Sequence, residues 1–467
     1  MSEQLTAGQQ TMWQAEQDQP GRKDCLVAGL IRIRGPLDLG ALDHALTSVI
    51  ERHETLRSGF ADGGGTPRRF VVAAGPPTVL DVVDLRPHGT FEQAVRLAGE
   101  HGATAFDLTA PPLLRAAVWR HADDEYVLSL ALHHMITDGA STGIVVRELI
   151  ELYNARVLGR APRLVEPVGQ FGEFVDRQAE WLATNQADSQ LTAMLGELTG
   201  LRSSHFTPSA DAAPDAVPGR DHVVHLPGPL TARVRELTRS LRSTPFMLLT
   251  AMSYVLLQAY TGDDDITVSS ATANRTRVDE ESMVGFLTQR ILLRQRLTGT
   301  MSVRELLAEV TDQVLLGYER QRIPAEVVMR RLADAGTPQE NLRPTVMVCV
   351  DNMADVAWAM TGVTATPLTR EWIVPKRPLS LFLQESDGTA RIRFVYRTDL
   401  FGPDTVRSMG EVYLALVEHA VDRPAASVAE LLGAVALPGH WPLVPPPRPL
   451  VRAESTSVSS STTKEGI

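Results

Sequence analysis

With 467 residues, 43% hydrophobic and 22% charged, the chain is long enough for two packed lobes and has the balance of a globular protein. A formal net charge of −11 and an aromatic content of 5% argue against nucleic acid or an anionic membrane as the main partner, because phosphate binding needs a basic surface and base stacking needs aromatic platforms. No apolar run approaches the ~20 residues of a membrane span, the first residues lack the basic and apolar regions of a signal peptide, and Cys25 and Cys349 are too few for a disulfide framework, so a reducing, cytoplasmic setting is expected.

In chain order, a first helix runs from Thr6, which can cap it, to about Gln17. Residues 25–35 read as a strand. Leu39, Leu42, Ala45, Leu46, Val49 and Ile50 then recur at helical spacing and predict an amphipathic helix to about His53. "RRFVVAA" and "PTVLDVVDL" are predicted strands, and "TFEQAVRLAGEHGATAF" is a predicted helix. Two β-rich runs flank a polar turn at His121–Glu125, a hairpin pattern. The second run ends in "LALHHMITDGAST", after which a helix starts near Asp138–Ser141, with Ile144, Val145, Leu149, Ile150 and Tyr153 on its buried side.

"FTPSADAAPDAVPGRD", residues 206–221, has no periodicity and marks a lobe boundary. A second α/β pattern follows: strand "HVVHLPG", helices "TARVRELTRSLR" and "PFMLLTAMSYVLLQAYTG", strand "DITVSSATA", and a hairpin around Asp387-Gly388. The expected organisation is an α/β (α+β) pseudo-dimer with a cleft between the halves: residues 1–185, residues 186–440, and a Pro- then Ser/Thr-rich tail, 441–467, read as disordered.

Paired histidines followed by Asp-Gly at a strand end allow three readings: a metal site, a proton-handling site, or a satisfied structural pair. Side chains alternate along a strand, so only one of His133 and His134 can face a given cavity. With no third ligand nearby, no Cys pair and no HExxH, a metal is not expected. His134 suits proton handling, since free imidazole titrates near ~6.5. Asp138 then reads as a buried carboxylate paired with an arginine, and Gly139 as a position needing special backbone or close approach.

The segment His133-His134-Met135-Ile136-Thr137-Asp138-Gly139 resembles the signature of nonribosomal peptide synthetase condensation domains, shared with coenzyme-A-dependent acyltransferases of the chloramphenicol acetyltransferase fold. "LTAGQQTMW", "RHETLRSGF", "FGEFVDRQAEW", "MVGFLTQRILLR", "ERQRIPAEVV", "LRPTVMVCVDN" and "FVYRTDLF" are similar to further family blocks, in family order, over about residues 5–435. The resemblance implies two acetyltransferase-like lobes in a V around a tunnel, with a carrier-protein arm entering from each side. It implies His134 as the acting histidine of the motif His133, His134, Asp138 and Gly139, and an Asp138 ion pair with Arg57 as partner, Arg52 being a helix-surface alternative. Asn352 matches a family Asn near the reaction centre, either an oxyanion donor or a strand-end cap. Gln289-Arg290 and Arg322-Ile323 depart from the usual Asn-Thr and Asp-Tyr; Gln289 and Arg290 are expected near the tunnel, where Arg290 either meets an acidic substrate group or stays solvated.

The implied activity is free-standing condensation. A carrier-bound acyl or aminoacyl thioester is joined to an amine or alcohol acceptor, with no cofactor bound by the enzyme, the substrate carried on 4'-phosphopantetheine, and a monomer expected. An acyl-coenzyme A transferase of the same fold is the alternative, and a non-catalytic recruitment domain a third. A basic rim would favour a carrier protein, with "REWIVPKR", 370–377, and the helix at 233–242 as candidates.

Overall fold

The structure, a computed structural model, describes residues 3–73, 80–202, 206, 219–350, 356–368, 374–386 and 388–437. Asn352, Asp387, residues 207–218 of the expected linker, residues 370–373 and the tail from 438 lie outside the described residues.

Two sheets organise the chain, in the mixed α/β architecture expected. The first has the order Thr364–Pro367, Leu26–Arg34, Glu125–His133, Leu114–Ala122, Leu80–Asp84. The hairpin predicted around His121–Glu125 forms, with Leu114 opposite Leu132. Leu26–Arg34 runs antiparallel on the other side, with Leu26 opposite His133, so the strand that carries the motif lies in the middle of the sheet. Residues alternate between its faces: Ala116, Val118, Leu128 and Leu130 join one core with helices Leu39–Arg52 and Gly139–Val157, while Ala117, Trp119 and Val127 meet helix Phe91–Gly102 on the other. Of the predicted stripe, Leu42, Ala45, Leu46, Val49 and Ile50 are fully buried and Leu39 is partly so, and Asp38 caps that helix by accepting from the Ala41 N–H at 2.8 Å.

The second sheet has the order Gly219–Leu226, Thr389–Arg397, Leu379–Ser386, Val346–Val350, Asp265–Thr272, Gln289–Arg296. Val346–Val350 is parallel to both neighbours and the other pairings are antiparallel. Helix Pro245–Thr261 is buried at every residue from Phe246 to Leu257, as its all-round apolar sequence requires. The Tyr254 and Tyr413 hydroxyls donate to the carbonyls of Leu293 (2.9 Å) and Leu249 (2.7 Å), so neither buried phenol lacks a partner. Helices Phe171–Leu182, Asn185–Leu198, Val303–Glu319, Ala325–Asp334 and Pro403–Asp422, left unassigned from sequence, complete the layers.

The halves are not divided cleanly at residue 185. Thr364–Pro367 returns from the second half to pair with the first sheet, Ile31 opposite Pro367. The crossing is fastened by Asn154, whose side chain donates to the Ala359 carbonyl (2.9 Å) and accepts from the Thr361 N–H (2.6 Å). An uncovered strand edge exposes a row of unpaired N–H and C=O groups, and the returning segment covers that edge over Ile31–Arg34, with the Leu368 N–H donating to the Leu30 carbonyl at 2.8 Å.

Candidate active site

The central strand of the first sheet stops at His133, and His134–Ile136 form a short 3-10 turn. There the two histidines part. His133 is 2% exposed; its Nδ1 accepts from the Met135 N–H at 3.2 Å and its ring meets Phe106 edge to face. His134 remains partly exposed. Its backbone N–H donates to the Cys25 carbonyl at 2.8 Å, and its Nδ1 lies 2.7 Å from the Thr137 carbonyl. A carbonyl can only accept, so Nδ1 carries the proton and the neutral ring presents Nε2 as a base. Among the described residues no protein group bonds that Nε2. Phe286 packs edge to face against the His134 ring at 5.2 Å and 85°. Helix Ala7–Asp18 holds Phe286 from behind, so close that a Cβ at Gly8 would fall 2.6 Å from Phe286 Cε1.

Burial keeps both rings neutral, pushing His133 down to about 3 and His134 to about 4 from an ordinary 6.5. For His134 the Lys376 charge adds to burial, while the Thr137 carbonyl and Asp138 oppose it. The unfolded chain binds these protons below about 6.5 and the folded chain does not, so stability declines as pH falls from 6.5 towards 4. Histidine ¹⁵N NMR is expected to show both rings neutral at pH 6; a His134 midpoint near 6.5 would contradict the burial argument.

Asp138 is fully buried at the head of helix Gly139–Val157. One oxygen, Oδ1, accepts from the Ser141 N–H at 2.8 Å and caps the helix. The other, Oδ2, accepts from the N–H groups of Leu287 and Thr288, each at 3.0 Å, and pairs with Arg275 at 3.3 Å. Ser141 Oγ adds a donation to the Gly285 carbonyl (2.8 Å) and accepts from the Gly285 N–H (3.0 Å). Burial alone would raise the Asp138 pKa; the Arg275 charge and the Ser141 N–H outweigh it and hold the carboxyl below its ordinary value. These bonds clamp the second half's segment 285–288 to the loop that carries His134. Within the clamp, a Cβ at Gly285 would fall 2.7 Å from Cγ of the buried Phe171. Gly285→Ala is therefore expected to cost about 1–3 kcal/mol by overpacking, read from chemical denaturation; an unchanged midpoint would show that Phe171 yields freely.

The expected partner Arg57 is corrected by this geometry. Arg57 closes a 3-10 turn, Glu54–Arg57, and its guanidinium donates to the Val72 carbonyl at 2.6 Å. Asp138 faces the second half of the chain, where Arg275 reaches it. Arg52 is not a free surface residue either: it pairs with Glu148 at 3.3 Å and Glu166 at 3.0 Å. Gly139 begins the helix without a positive φ, so backbone freedom is not its reason for being there. Gln289 is 4% exposed in the second sheet, and Arg290, partly exposed, is paired with Glu326 at 2.6 Å. In helix Gly228–Ser240, Arg233 and Arg235 pair with Asp422 and Glu385. Sequence reading missed Arg275, Phe286 and Gln9, whose side chain donates to the Met135 carbonyl at 2.8 Å; Phe286 and Gln9 do lie within the blocks "MVGFLTQRILLR" and "LTAGQQTMW". Among the described residues no group of three or more His, Cys, Asp or Glu side chains is placed to hold a metal ion, and no helix is long and apolar enough to cross a membrane.

Comparison with known proteins finds a model of the condensation domain matching residues 3–434. One of the linear gramicidin synthase proteins of Brevibacillus parabrevis is 32% identical over 435 residues, which are 91% of this chain and 8% of that protein. Phosphinothricin tripeptide synthetase PhsC of Streptomyces viridochromogenes is 30% identical over 91% of this chain and 40% of its own length. The chain thus spans well under half of these relatives. Among solved structures, the X-domain in complex with OxyB from teicoplanin biosynthesis matches with a TM-score of 0.80 and 23% identity, over 92% of this chain and 95% of that one. The first condensation domain of the calcium-dependent antibiotic synthetase matches with 0.75 and 22% identity, over 94% and 99%.

Proposed function

The chain belongs to the condensation-domain family, and on that premise we propose that it is an acyltransferase that joins a thioester acyl group, carried on the phosphopantetheine arm of a carrier protein, to an amine or alcohol. The observation that carries this reading is the His134 ring, fixed through Nδ1 on the Thr137 carbonyl, with Nε2 bonded by no protein group among the described residues. The acceptor N–H or O–H donates to Nε2 and its lone pair attacks the thioester carbon. The carbonyl oxygen takes the negative charge, and Asn352 is the proposed donor to it. Collapse breaks the carbon–sulfur bond, and the proton held by His134 passes to the departing thiolate. Holding both reactants converts a bimolecular step into an effectively unimolecular one. The enzyme itself binds no cofactor in this scheme, since the pantetheine arm belongs to the substrate.

The test incubates the purified chain with acyl-loaded carrier proteins, the matching acyl-coenzyme A thioesters and a pool of amines and alcohols, read by mass spectrometry beside His134→Ala. Product from the carrier-bound donor that is lost in the variant supports the reading and identifies an amide or an ester. Equal product from coenzyme A moves the donor assignment to coenzyme A, and product that survives His134→Ala removes His134 from the chemistry.

A further inference from the structure

Phe286 belongs to the second half of the chain, yet its ring lies against the base: its centroid is 5.2 Å from that of His134, with the planes at 85°. Its backbone is fixed on both sides. Gly285 exchanges bonds with Ser141 Oγ at 2.8 and 3.0 Å, and the Leu287 N–H donates to Asp138 at 3.0 Å. Another neighbour of the ring is Gly8 on helix Ala7–Asp18, where a Cβ would stand 2.6 Å from Cε1 and 3.5 and 3.6 Å from Cζ and Cδ1. Neighbouring carbons so much farther away than Cε1 mean that Gly8 meets the ring in its own plane, at its edge. The helix is held there as well: Gln9, 0% exposed, donates to the Met135 carbonyl at 2.8 Å and completes a capping box with Thr6. The ring thus sits against two anchored surfaces, and it fits because residue 8 has no side chain.

Phe286 carries no polar side-chain atom, so it cannot move a proton; what it brings to His134 is bulk. Both rings are partly exposed, whereas Gly285, Leu287, His133 and Met135 beside them in sequence are buried. We propose that the two rings border one opening through which the acceptor reaches Nε2, and that Phe286 determines specificity there, its bulk limiting how branched the carbon next to the attacking atom can be. An apolar wall discriminates between groups that differ by a methylene about 10–200-fold. Volume sets this preference, so it changes with the size of residue 286 and with anything that displaces the ring. The opening rests on the acyl-transfer reading only for the identity of what enters; the seating of Phe286 against His134 stands apart from it.

The test reads access to His134 in two ways. The first needs no turnover: dimethyl dicarbonate and di-tert-butyl dicarbonate acylate a free imidazole nitrogen, and peptide mass spectrometry locates and counts the His134 adduct. The second compares n-propylamine with tert-butylamine as acceptors for acyl-loaded carrier protein or acyl-coenzyme A. Both are run on the full chain, Phe286→Leu, Phe286→Ala, Gly8→Ala and the double variant Gly8→Ala/Phe286→Ala, with thermal melts confirming the fold; Phe286→Leu keeps an apolar side chain if alanine does not fold. Phe286→Ala is expected to raise the bulky-to-small ratio about tenfold or more in both readouts, and Phe286→Leu by less. Gly8→Ala, where alanine favours the helix itself, is expected to lower both rates at His134 by pressing on the ring edge, and to do nothing once the ring is gone. Ratios within about twofold of the parent in Phe286→Ala, a Gly8→Ala effect that persists in the double variant, or a His134 inert to both reagents throughout would overturn the proposal. A shifted adduct ratio without product from any donor keeps the opening and removes acyl transfer; product with an unchanged acceptor ratio does the reverse.

Discussion

His134→Ala is expected to lower kcat/KM for acyl transfer by about 10²–10⁴-fold, the ordinary contribution of a positioned general base. The loss should fall on kcat, because in the proposed reaction Nε2 acts on the acceptor proton as attack proceeds. It should be larger for alcohol acceptors than for amines, which attack more readily without help. The protein should stay folded: the variant forfeits one bond, Nδ1–H to Thr137, worth about 1 kcal/mol. His133→Ala supplies the contrast. That ring is buried and bonded only within its own turn, so its removal should lower the melting temperature more than it lowers kcat at a permissive temperature. Steady-state kinetics and thermal melts of both variants decide the matter. A His134→Ala rate within about threefold of the parent would assign the catalysis to positioning alone.

The largest effect on stability belongs to Asp138. Asp138→Ala leaves the Arg275 guanidinium without its carboxylate and orphans the N–H groups of Leu287, Thr288 and Ser141. Removing one partner of a buried pair costs about 3–5 kcal/mol. Asp138→Asn can keep one acceptor for the helix cap yet loses the charge, so it should fall between parent and alanine. Arg275→Met serves as the second arm of a double-mutant cycle, because both residues are 7% exposed or less at the side chain. If the two form one unit, the double variant loses less than the sum of the singles. Simple additivity in chemical denaturation would show that the backbone donors, not Arg275, hold Asp138 in place.

Local rules made much of this molecule readable. The helix over Leu39–Arg52 followed from apolar spacing, and the hairpin before the motif followed from two β-rich runs around a polar turn. Asp138 at a helix start announced both its cap and its burial. What stayed hidden depends on groups far apart in sequence. Arg275 lies 137 positions from Asp138 and differs in no local way from the other arginines. Thr364–Pro367 is short, largely exposed and ends in proline, so it shows neither alternation nor a buried run, and only the open edge at Leu26–Arg34 gives it a place. Arg290 looked available because sequence does not show Glu326 opposite it.

The bonds between 138–141 and 285–288 also govern how the two sheets can move. Four contacts to Asp138 and Ser141 converge within a few residues, and Arg275 braces the same point. Sliding one sheet past the other would break them together. A rotation centred there would strain them little, as at a hinge pin. A swing about this fulcrum would also have to carry the crossing strand Thr364–Pro367, which is tied to the first sheet, and it would leave the imidazole beside the pin almost unmoved.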